Sequence, residues 1–314
     1  MKIAIILTGQ LRTWRLCREL LKKQLLDHYE CDIFMGIDPK NNLQCENKNN
    51  KADNLNGDIT EAIEFYKPKG VIYDDITDYL LISSFPTHLK CLSDIDNTEP
   101  IQFNYDDNTK KYNFNKLTNP LKEYKNIQVS VENNIHLQLI FRQYYYFTKA
   151  FDLMQQYSHD NNIKYDIVLR VRFDQYLYNS KIGNNYNNLF SRLEKNNNGQ
   201  ILYNQENINI IKQFDSDLKL IFEKNIFDNE MYVIGAGIYY NSYVYVNDHF
   251  FYCNYKTAKL FNNFLEKLIN EYKDSANNCW ILGAHIEHHF AKILYKNNIN
   301  IMKSQIQGIF IREF

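Results

Sequence analysis

The first forty residues place the tightest limit on what this chain can fold into. Lys2–Leu7 is an apolar, β-branched run of the kind that forms a buried strand. Leucines at helical spacing predict a helix over Trp14–Leu26, and Cys31–Gly36 is a second short apolar run. The order strand, helix, strand indicates a βαβ unit, so a mostly parallel sheet with helices packed on it is expected.

The rest of the chain continues the alternation of strands and helices. Helical periodicity runs from Ile135 to about Tyr157, and Ile167–Val171 predicts a central strand. Shorter strands are predicted at Gly70–Tyr73, Ile201–Tyr203, Met231–Ile234, Tyr243–Val246, Phe250–Cys253, Asn300–Met302 and Ile309–Ile311. The strands at 231–234 and 243–246 are expected to pair. Later helices are predicted over Tyr255–Tyr272 and Cys279–Lys296. Residues 39–60 and 74–130 are polar and irregular, which is typical of exposed loops and insertions.

Composition narrows the possible classes of protein. The 36 basic and 37 acidic side chains give a net charge of −1, so a broad nucleic-acid interface is not expected. No apolar run approaches the ~18–20 residues of a membrane span, and no export signal is apparent, so a cytoplasmic location is expected. Because no internal repeat or clear linker occurs, residues 1–314 are predicted to form one elaborated α/β domain.

The strand predicted at 167–171 ends in charged residues, Arg170, Arg172 and Asp174. Open α/β sheets bind ligands outside the carboxyl ends of their strands. Arginine suits diphosphate and carboxylate groups, and an aspartate there can hold a divalent metal. An ion pair at the edge of the sheet is the alternative.

The first strand also ends in polar residues, and Gly9 would let the backbone approach a ligand closely. Thr8, Gln10 and Arg12 supply hydrogen-bonding groups, and Thr13 could cap the following helix. The alternative is a simple turn between strand and helix.

Two later segments carry further candidates. Asp248 lies between Asn247 and His249 and could be a metal ligand, a general base or an ordinary turn aspartate. The string His285-Ile286-Glu287-His288-His289 would place residues 285 and 289 on one helical face, where a metal site is geometrically possible. The favoured interpretation is instead that Glu287 directs one functional carboxylate into a cleft. Weaker candidates are the paired acids at 94 and 96 and at 215 and 217, and the Gly235–Gly237 turn.

Taken in order, these segments resemble a family. The pattern is Gly9–Thr13 after the first strand, Arg170–Asp174 in the middle, Asn247–Phe250 later and Glu287 on a C-terminal helix. It is similar to poorly classified glycosyltransferases of bacterial surface-polysaccharide clusters and large DNA viruses, including the WavE-like lipopolysaccharide enzymes. Those proteins share a "GQLRT"-like start, an R-x-R-x-D strand end, a D-x-F segment and a late glutamate.

The resemblance implies a GT-A-like three-layer α/β/α sandwich with a mixed, mostly parallel central sheet and long loop insertions. Its nucleotide-binding half would be about 1–175 and its acceptor half about 176–314. It also implies a nucleotide-sugar donor, a glycan or other hydroxyl acceptor, and usually Mn²⁺ or Mg²⁺. A homodimer is possible, and for a viral chain the place of work would be the host cytoplasm.

The resemblance also assigns roles at matching positions. Asp174 resembles the family's metal or diphosphate aspartate, and Arg170 and Arg172 resemble its phosphate-facing arginines. Phe173 stands where the family often has proline, and Gln175 stands where a DxD enzyme has a second acid. Asp248 or the donor diphosphate would then have to complete the metal's coordination.

The remaining roles fall to the two ends of the pattern. Gly9, Gln10 and Arg12 match the nucleotide loop, to which Thr8 at the strand end adds a hydroxyl. Asp248 and Glu287 match later acids near the sugar or acceptor, with Asp248 as first choice for the base and Glu287 as second.

Two other functions stay open. An α/β methyltransferase would use an acid after the second strand, where Asp38 stands. A non-catalytic carbohydrate-binding or scaffold protein could keep a transferase shape without turnover.

Overall fold

The computed structural model describes most of the chain. The described residues are 1–39, 55–76, 89–95, 101–117, 121–127, 135–179, 191–195, 201–202, 204–214, 219–239, 243–273 and 286–312. The strands are β1 Lys2–Gly9, β2 Glu30–Ile37, β3 Gly70–Ile72, β4 Leu89–Ile95, β5 Phe103–Asp106, β6 Lys111–Phe114, β7 Leu121–Ile127, β8 Ile167–Arg172, β9 Gln175–Asn179, β10 Ile201–Leu202, β11 Glu230–Val233, β12 Ala236–Tyr239, β13 Tyr243–Val246, β14 Phe251–Cys253, β15 Asn300–Lys303 and β16 Ile306–Arg312. The helices are α1 Trp14–Leu21, α2 Leu55–Tyr66, α3 Ile135–Asp160, α4 Gln205–Phe214, α5 Tyr255–Ala258, α6 Phe264–Lys273 and α7 Ile286–Lys296.

A nine-stranded sheet forms the centre of the protein, in the order β3-β2-β1-β8-β14-β11-β15-β6-β5. The α/β class and the mixed sheet are confirmed. The sheet is less parallel than predicted, because four of its eight neighbouring pairs are antiparallel. The antiparallel pairs bring in β14, β6 and β5, which need no helical crossover and so leave no βαβ signal in the sequence.

Helices cover both faces of this sheet. Along β1, Ala4 and Ile6 enter one core while Ile3, Ile5 and Leu7 enter the other. Helices α3, α6 and α7 pack on the first core, and α1 and α2 pack on the second. A strand buried on both sides reads as a continuous apolar run, which is why β1 and β8 could be recognised in the sequence.

Two segments predicted to be irregular contain regular structure. The stretch 39–60 was expected to be a loop, but α2 begins at Leu55. Ile59, Ala62 and Tyr66 supply its buried face, and polar neighbours hide this spacing. Within 74–130, strands β4 to β7 replace the expected loops. They are short, polar strands in hairpin-like pairs, where apolar alternation is weak.

Other predicted elements are confirmed with different partners or ends. The strands at 231–234 and 243–246 exist but do not pair with each other: β11 pairs with β14 and β15, and β13 pairs with β12. The predicted helix at 14–26 ends in a π-helical turn at Lys22–Leu26. The predicted helix at 255–272 is interrupted, because a 3₁₀ turn follows α5 and Asn263 adopts a positive φ of 53°.

Candidate active site

The carboxyl ends of β1 and β8 lie side by side. The two strands are parallel, and their register places Thr8 opposite Arg172. Gly9 has a φ of +121°, a conformation that side-chain-bearing residues rarely adopt. A Cβ atom at Gly9 would lie 3.8 Å from Cζ of Arg172. The predicted segment after the first strand and the predicted charged end of the 167–171 strand therefore meet at one edge of the sheet.

Arg172 and Asp174 form a closed ion pair at this edge. Nε and Nη2 of Arg172 donate to the two carboxylate oxygens of Asp174 at 2.9 and 3.0 Å. Nη1 of Arg172 donates to Oε1 of Gln143 at 3.2 Å. Burial acts to lower the pKa of Arg172, but the charge and hydrogen bonds of Asp174 and the charge of Asp248 together outweigh burial and raise it. Both oxygens of Asp174 are bound by Arg172.

Arg12 adds a second guanidinium to the pair. Its Nη1 lies 3.9 Å from Oδ2 of Asp174, while Nε and Nη2 donate to Oε1 of Gln10 at 2.9 and 2.6 Å. Thr8 and Gln10 are buried, and Arg12 keeps about a fifth of its side chain exposed. Among the predicted nucleotide-loop side chains, Arg12 is therefore the one best placed to contact a ligand.

Arg170 occupies a different environment, although it is two residues from Arg172 on the same strand. It is fully buried, with its guanidinium carbon 4.5 Å from the ring centre of Phe147 and 5.1 Å from that of Tyr144. Its Nη1 lies 3.6 Å from Oδ2 of Asp248. With no exposed surface, Arg170 supports Asp248 and does not line the open edge as the resemblance implies.

Asp248 lies in the loop before β14 and is completely buried. Its Oδ2 accepts hydrogen bonds from the hydroxyl of Tyr144 and from Nε2 of Gln143, the latter at 3.0 Å. Burial acts to raise the pKa of Asp248, but the charge of His249 when it is protonated, the charges of Arg170 and Arg172 and the Tyr144 hydrogen bond together outweigh it and lower the pKa. Asp248 is therefore an ionised, enclosed carboxylate.

His249 connects Asp248 with Glu287. Its Nδ1 lies 3.5 Å from Oδ1 of Asp248, and its Nε2 lies 3.8 Å from Oε1 of Glu287. The ring packs edge-on against Phe310, with centroids 4.9 Å apart. The side chains of His249 and Glu287 are 19% and 21% exposed, whereas that of Asp248 is 0% exposed. His249 and Glu287 can therefore meet a ligand, whereas Asp248 cannot.

Burial sets the proton affinities of these two residues. Burial, together with the charge of Asp248, raises the pKa of Glu287 to about 7. Burial and the positive charges of Arg172 and Arg170 lower the pKa of His249 to about 4, against the opposing effect of Asp248. The sequence had marked Asp248 and Glu287 but not His249, whose position beside Asp248 was the available signal.

The ligand atoms that this site offers can be compared with what the implied metal ion would need. Asp174 does not fit, because Arg172 binds both of its oxygens. Among the described residues, Asp248, His249 and Glu287 offer ligand atoms within 4.8 Å of one another. An ion held by this group would take one ring nitrogen of His249 and one oxygen from each carboxylate. A ring nitrogen bound to an ion could no longer exchange a proton with the carboxylate that it faces.

The other candidates lie apart from this site or outside the described residues. Asp38 is buried and bound by Arg142, whose Nη2 donates to Oδ1 at 2.6 Å. Nδ1 of His288 pairs with the carbonyl of Val244 at 2.8 Å, and His289 is buried. Asp94 lies in β4. His285 and the acids at 96, 215 and 217 fall outside the described residues.

The Gly235–Gly237 segment is hydrogen-bonded to the loop that carries Asp248. The backbone N–H of Asn247 donates to the carbonyl of Gly235 at 2.9 Å, and β12 begins at the next residue, Ala236. This segment therefore braces the Asp248 loop, and Asn247 in turn accepts the backbone N–H of His249 at 3.1 Å.

Comparison with known proteins adds no assignment. No family model matches the chain, and searches of curated proteins and of solved structures also found no match. In the described part of the chain, no helix is both long and apolar enough to cross a membrane.

Proposed function

We propose that the protein is a glycosyltransferase that moves a sugar from a nucleoside-diphosphate donor to a hydroxyl acceptor. The observation that carries this proposal is the meeting of four distant segments at one sheet edge. Arg12, Arg172 and Asp174 approach from β1 and β8, and His249 and Glu287 approach from the β14 loop and α7. Cations and a carboxylate of raised pKa side by side suit a reaction that releases a diphosphate and a proton.

The fold supports the same proposal. Parallel strands β3, β2, β1 and β8 lie in one block, and the antiparallel β14 comes next. This agrees with the mixed sheet of a GT-A-like sandwich. Ligands of open α/β sheets bind beyond the carboxyl ends of parallel strands, which here are marked by Gly9 and Arg172. The donor would lie there, mostly against residues of 1–175, with the acceptor on the side of 176–314.

The arginines and the glutamate have separate roles in the proposed sugar transfer. The acceptor oxygen forms a bond to the anomeric carbon, and the bond from that carbon to the diphosphate oxygen breaks with its electron pair on the diphosphate. Arg12 and the exposed part of Arg172 stabilise the charge of the leaving diphosphate. Glu287 accepts the acceptor's hydroxyl proton, because its pKa of about 7 suits a general base near neutral pH.

Glu287 takes this role in preference to Asp248, the first choice from sequence. Asp248 is enclosed, and Tyr144 and Gln143 occupy its Oδ2, so an acceptor hydroxyl cannot reach it. The methyltransferase alternative loses support, because Arg142 already binds the Asp38 carboxylate that would contact its cofactor.

The first experiment identifies the donor. Thermal unfolding is measured with UDP, GDP, CMP and dTDP, and with S-adenosylmethionine. A ligand at about 100 times its Kd stabilises the folded state by roughly 2.7 kcal/mol, which is visible as a raised Tm. One nucleoside diphosphate is expected to stabilise the protein. Stabilisation by S-adenosylmethionine alone would contradict the proposal.

The second experiment measures turnover with the sugar derivatives of that nucleotide, using free monosaccharides or water as acceptor. Glu287→Gln is expected to lower nucleotide release by about 10²–10⁴-fold, the range typical of a lost general base. Glu266→Gln, a substitution on the exposed face of α6, is the control and should leave release unchanged. Nucleotide binding without any release would favour the non-catalytic alternative.

A further inference from the structure

His249 is held between two carboxylates by contacts at both ring nitrogens. Nδ1 faces Asp248 at 3.5 Å and Nε2 faces Glu287 at 3.8 Å. The backbone N–H of His249 is bound by Asn247, and Phe310 packs against the ring. The backbone bond and the Phe310 contact hold the ring in an orientation in which each nitrogen faces its own carboxylate, at distances longer than a hydrogen bond.

Asp248 decides which nitrogen carries the proton. Its Oδ2 accepts from Tyr144 and Gln143, while Oδ1 has no hydrogen-bond partner among the described residues and faces Nδ1 of His249, which has none either, at 3.5 Å. Because Asp248 is ionised, it can only accept a proton, so its charge favours the tautomer of neutral His249 that carries the proton on Nδ1. Nε2 is then an unprotonated acceptor that faces Glu287.

We propose that Asp248, His249 and Glu287 form a proton relay in which His249 is a catalytic residue. This inference rests on the proposed function for its chemistry but not for its test. Glu287 takes the proton of the acceptor hydroxyl as the new glycosidic bond forms. The protonated Glu287 donates to Nε2 of His249 and can pass the proton on, which leaves an imidazolium between two carboxylates.

The charge of Asp248 stabilises the imidazolium, but the pKa of His249, about 4, stays below that of Glu287, about 7, so the proton rests on Glu287 and reaches His249 only transiently. An imidazolium with Nδ1–H directed at a carboxylate is stabilised in the same way as the histidine of a serine-protease triad. The other charged groups that act on His249 are Arg170, Arg172 and Asp174, and the first two oppose its protonation. At rest His249 is therefore neutral, and its unprotonated Nε2 is available as an acceptor for protonated Glu287.

The relay predicts one tautomer of neutral His249, and this tautomer can be measured without turnover. The ¹⁵N shifts of His249 are recorded by NMR on the full-length chain at a pH above the pKa of Glu287, about 7. His249→Phe identifies the signal. The relay predicts a protonated Nδ1 and an unprotonated Nε2, the less common form of free histidine, and predicts that Asp248→Asn abolishes the preference. A protonated Nε2 or an equal mixture would overturn the proposal.

The same spectra address a metal at this site. Addition of MnCl₂ at micromolar concentration is expected to leave the His249 signal unchanged. Saturable broadening of that signal would show that the ring binds a metal ion, and would overturn the relay.

A kinetic test follows once the donor is known. His249→Phe keeps the ring packing against Phe310 but removes both nitrogens, and is expected to lower kcat by about 10–100-fold with little change in donor KM. His249→Phe should also lower the pH midpoint of the acid limb of the kcat profile. Protonated Glu287 loses the hydrogen-bond acceptor that His249 provides, so the pKa of Glu287 falls. His28→Phe, on an exposed histidine, is the control. An unchanged kcat and pH profile in His249→Phe would contradict a catalytic role.

Discussion

The two sides of the candidate site differ in how tightly their charged side chains are paired. On the arginine side, defined by Arg12, Arg172 and Asp174, the ion pair is bidentate and short, at 2.9 and 3.0 Å. On the carboxylate side, defined by Asp248, His249 and Glu287, the contacts through the ring are 3.5 and 3.8 Å. The arginine side therefore has fixed charges, whereas the carboxylate side has groups that can exchange protons.

This difference matches two requirements of group transfer. A leaving diphosphate is stabilised best by charges that are already in position, because no reorganisation is then needed during the reaction. A general base has to change its protonation state, so it needs a pKa near the working pH and a partner for the proton. The predictions below test whether the two sides differ in this way.

Breaking the arginine side should have the largest effect on stability. Arg172→Met removes both short hydrogen bonds to the buried carboxylate of Asp174 and leaves Arg12 at 3.9 Å, so the free energy of unfolding is expected to fall by about 3 kcal/mol in urea titrations. Lys256→Met removes one partner of an exposed pair with Asp228 and should cost about 0–1 kcal/mol. Equal losses in the two variants would show that the Arg172 pair is not enclosed.

Removing the titrating group of the carboxylate side should change how stability depends on pH. The folded-state pKa of Glu287 is raised from 4.5 to about 7, so the folded protein holds a proton that the unfolded chain has lost between these values. Glu287 therefore costs stability that grows as pH rises through this window, up to about 3 kcal/mol. Glu287→Gln is expected to be more stable than the parent above pH 7 and similar to it near pH 4.

The pKa of His249 is lowered, so its effect on the pH dependence of stability is opposite to that of Glu287. Its contribution to the free energy of unfolding rises between about pH 4 and pH 6.5. Only the difference between parent and Glu287→Gln, measured at each pH by urea unfolding, isolates the glutamate. A difference that does not depend on pH would mean that the pKa of Glu287 is ordinary.

Removing a hydrogen bond that supports Asp248 should have a smaller effect on stability. Tyr144→Phe removes a hydroxyl that donates to a buried carboxylate and is expected to cost about 1.5–3 kcal/mol. Tyr146→Phe lies on the same helix and removes a hydrogen bond to the neutral carbonyl of Asp74, which should cost about 0.5–1.5 kcal/mol. A larger loss for Tyr146→Phe in thermal unfolding would indicate that Asp248 is not the charged acceptor.

Chelation should have the smallest effect. Because both Asp174 oxygens are bound by Arg172, sugar transfer in the presence of EDTA is expected to equal transfer in its absence. Loss of transfer in EDTA that Mn²⁺ restores would show that a donor complex opens the Arg172–Asp174 pair, and would return the metal to the position that the family resemblance implies.

The sequence predicted the parts of the site that depend on one strand at a time. Gly9 and Arg172 were recognisable because each ends a strand whose apolar run is unmistakable. The placement of Arg170 was not, because it depends on β14, which pairs Phe251 with Arg170 and places the Asp248 loop beside it. Neither the antiparallel pairing nor the cover that α3 provides leaves a local signal.

His249 was missed for a related reason. Its role depends on Glu287, 38 positions later and on another element, and on Phe310, which fixes the ring. A histidine beside an aspartate in a loop has no distinguishing pattern until the fold brings a second carboxylate to its other nitrogen.

The pH dependence of donor turnover tests the central claim most directly. With the donor found by nucleotide screening, kcat/KM is measured from acid to alkaline pH for the parent protein. The account predicts an acid limb with its midpoint near pH 7, where Glu287 loses its proton. A profile that is flat through neutral pH, or whose midpoint lies at the 4.5 of an ordinary glutamate, would contradict the assignment of Glu287 as the base.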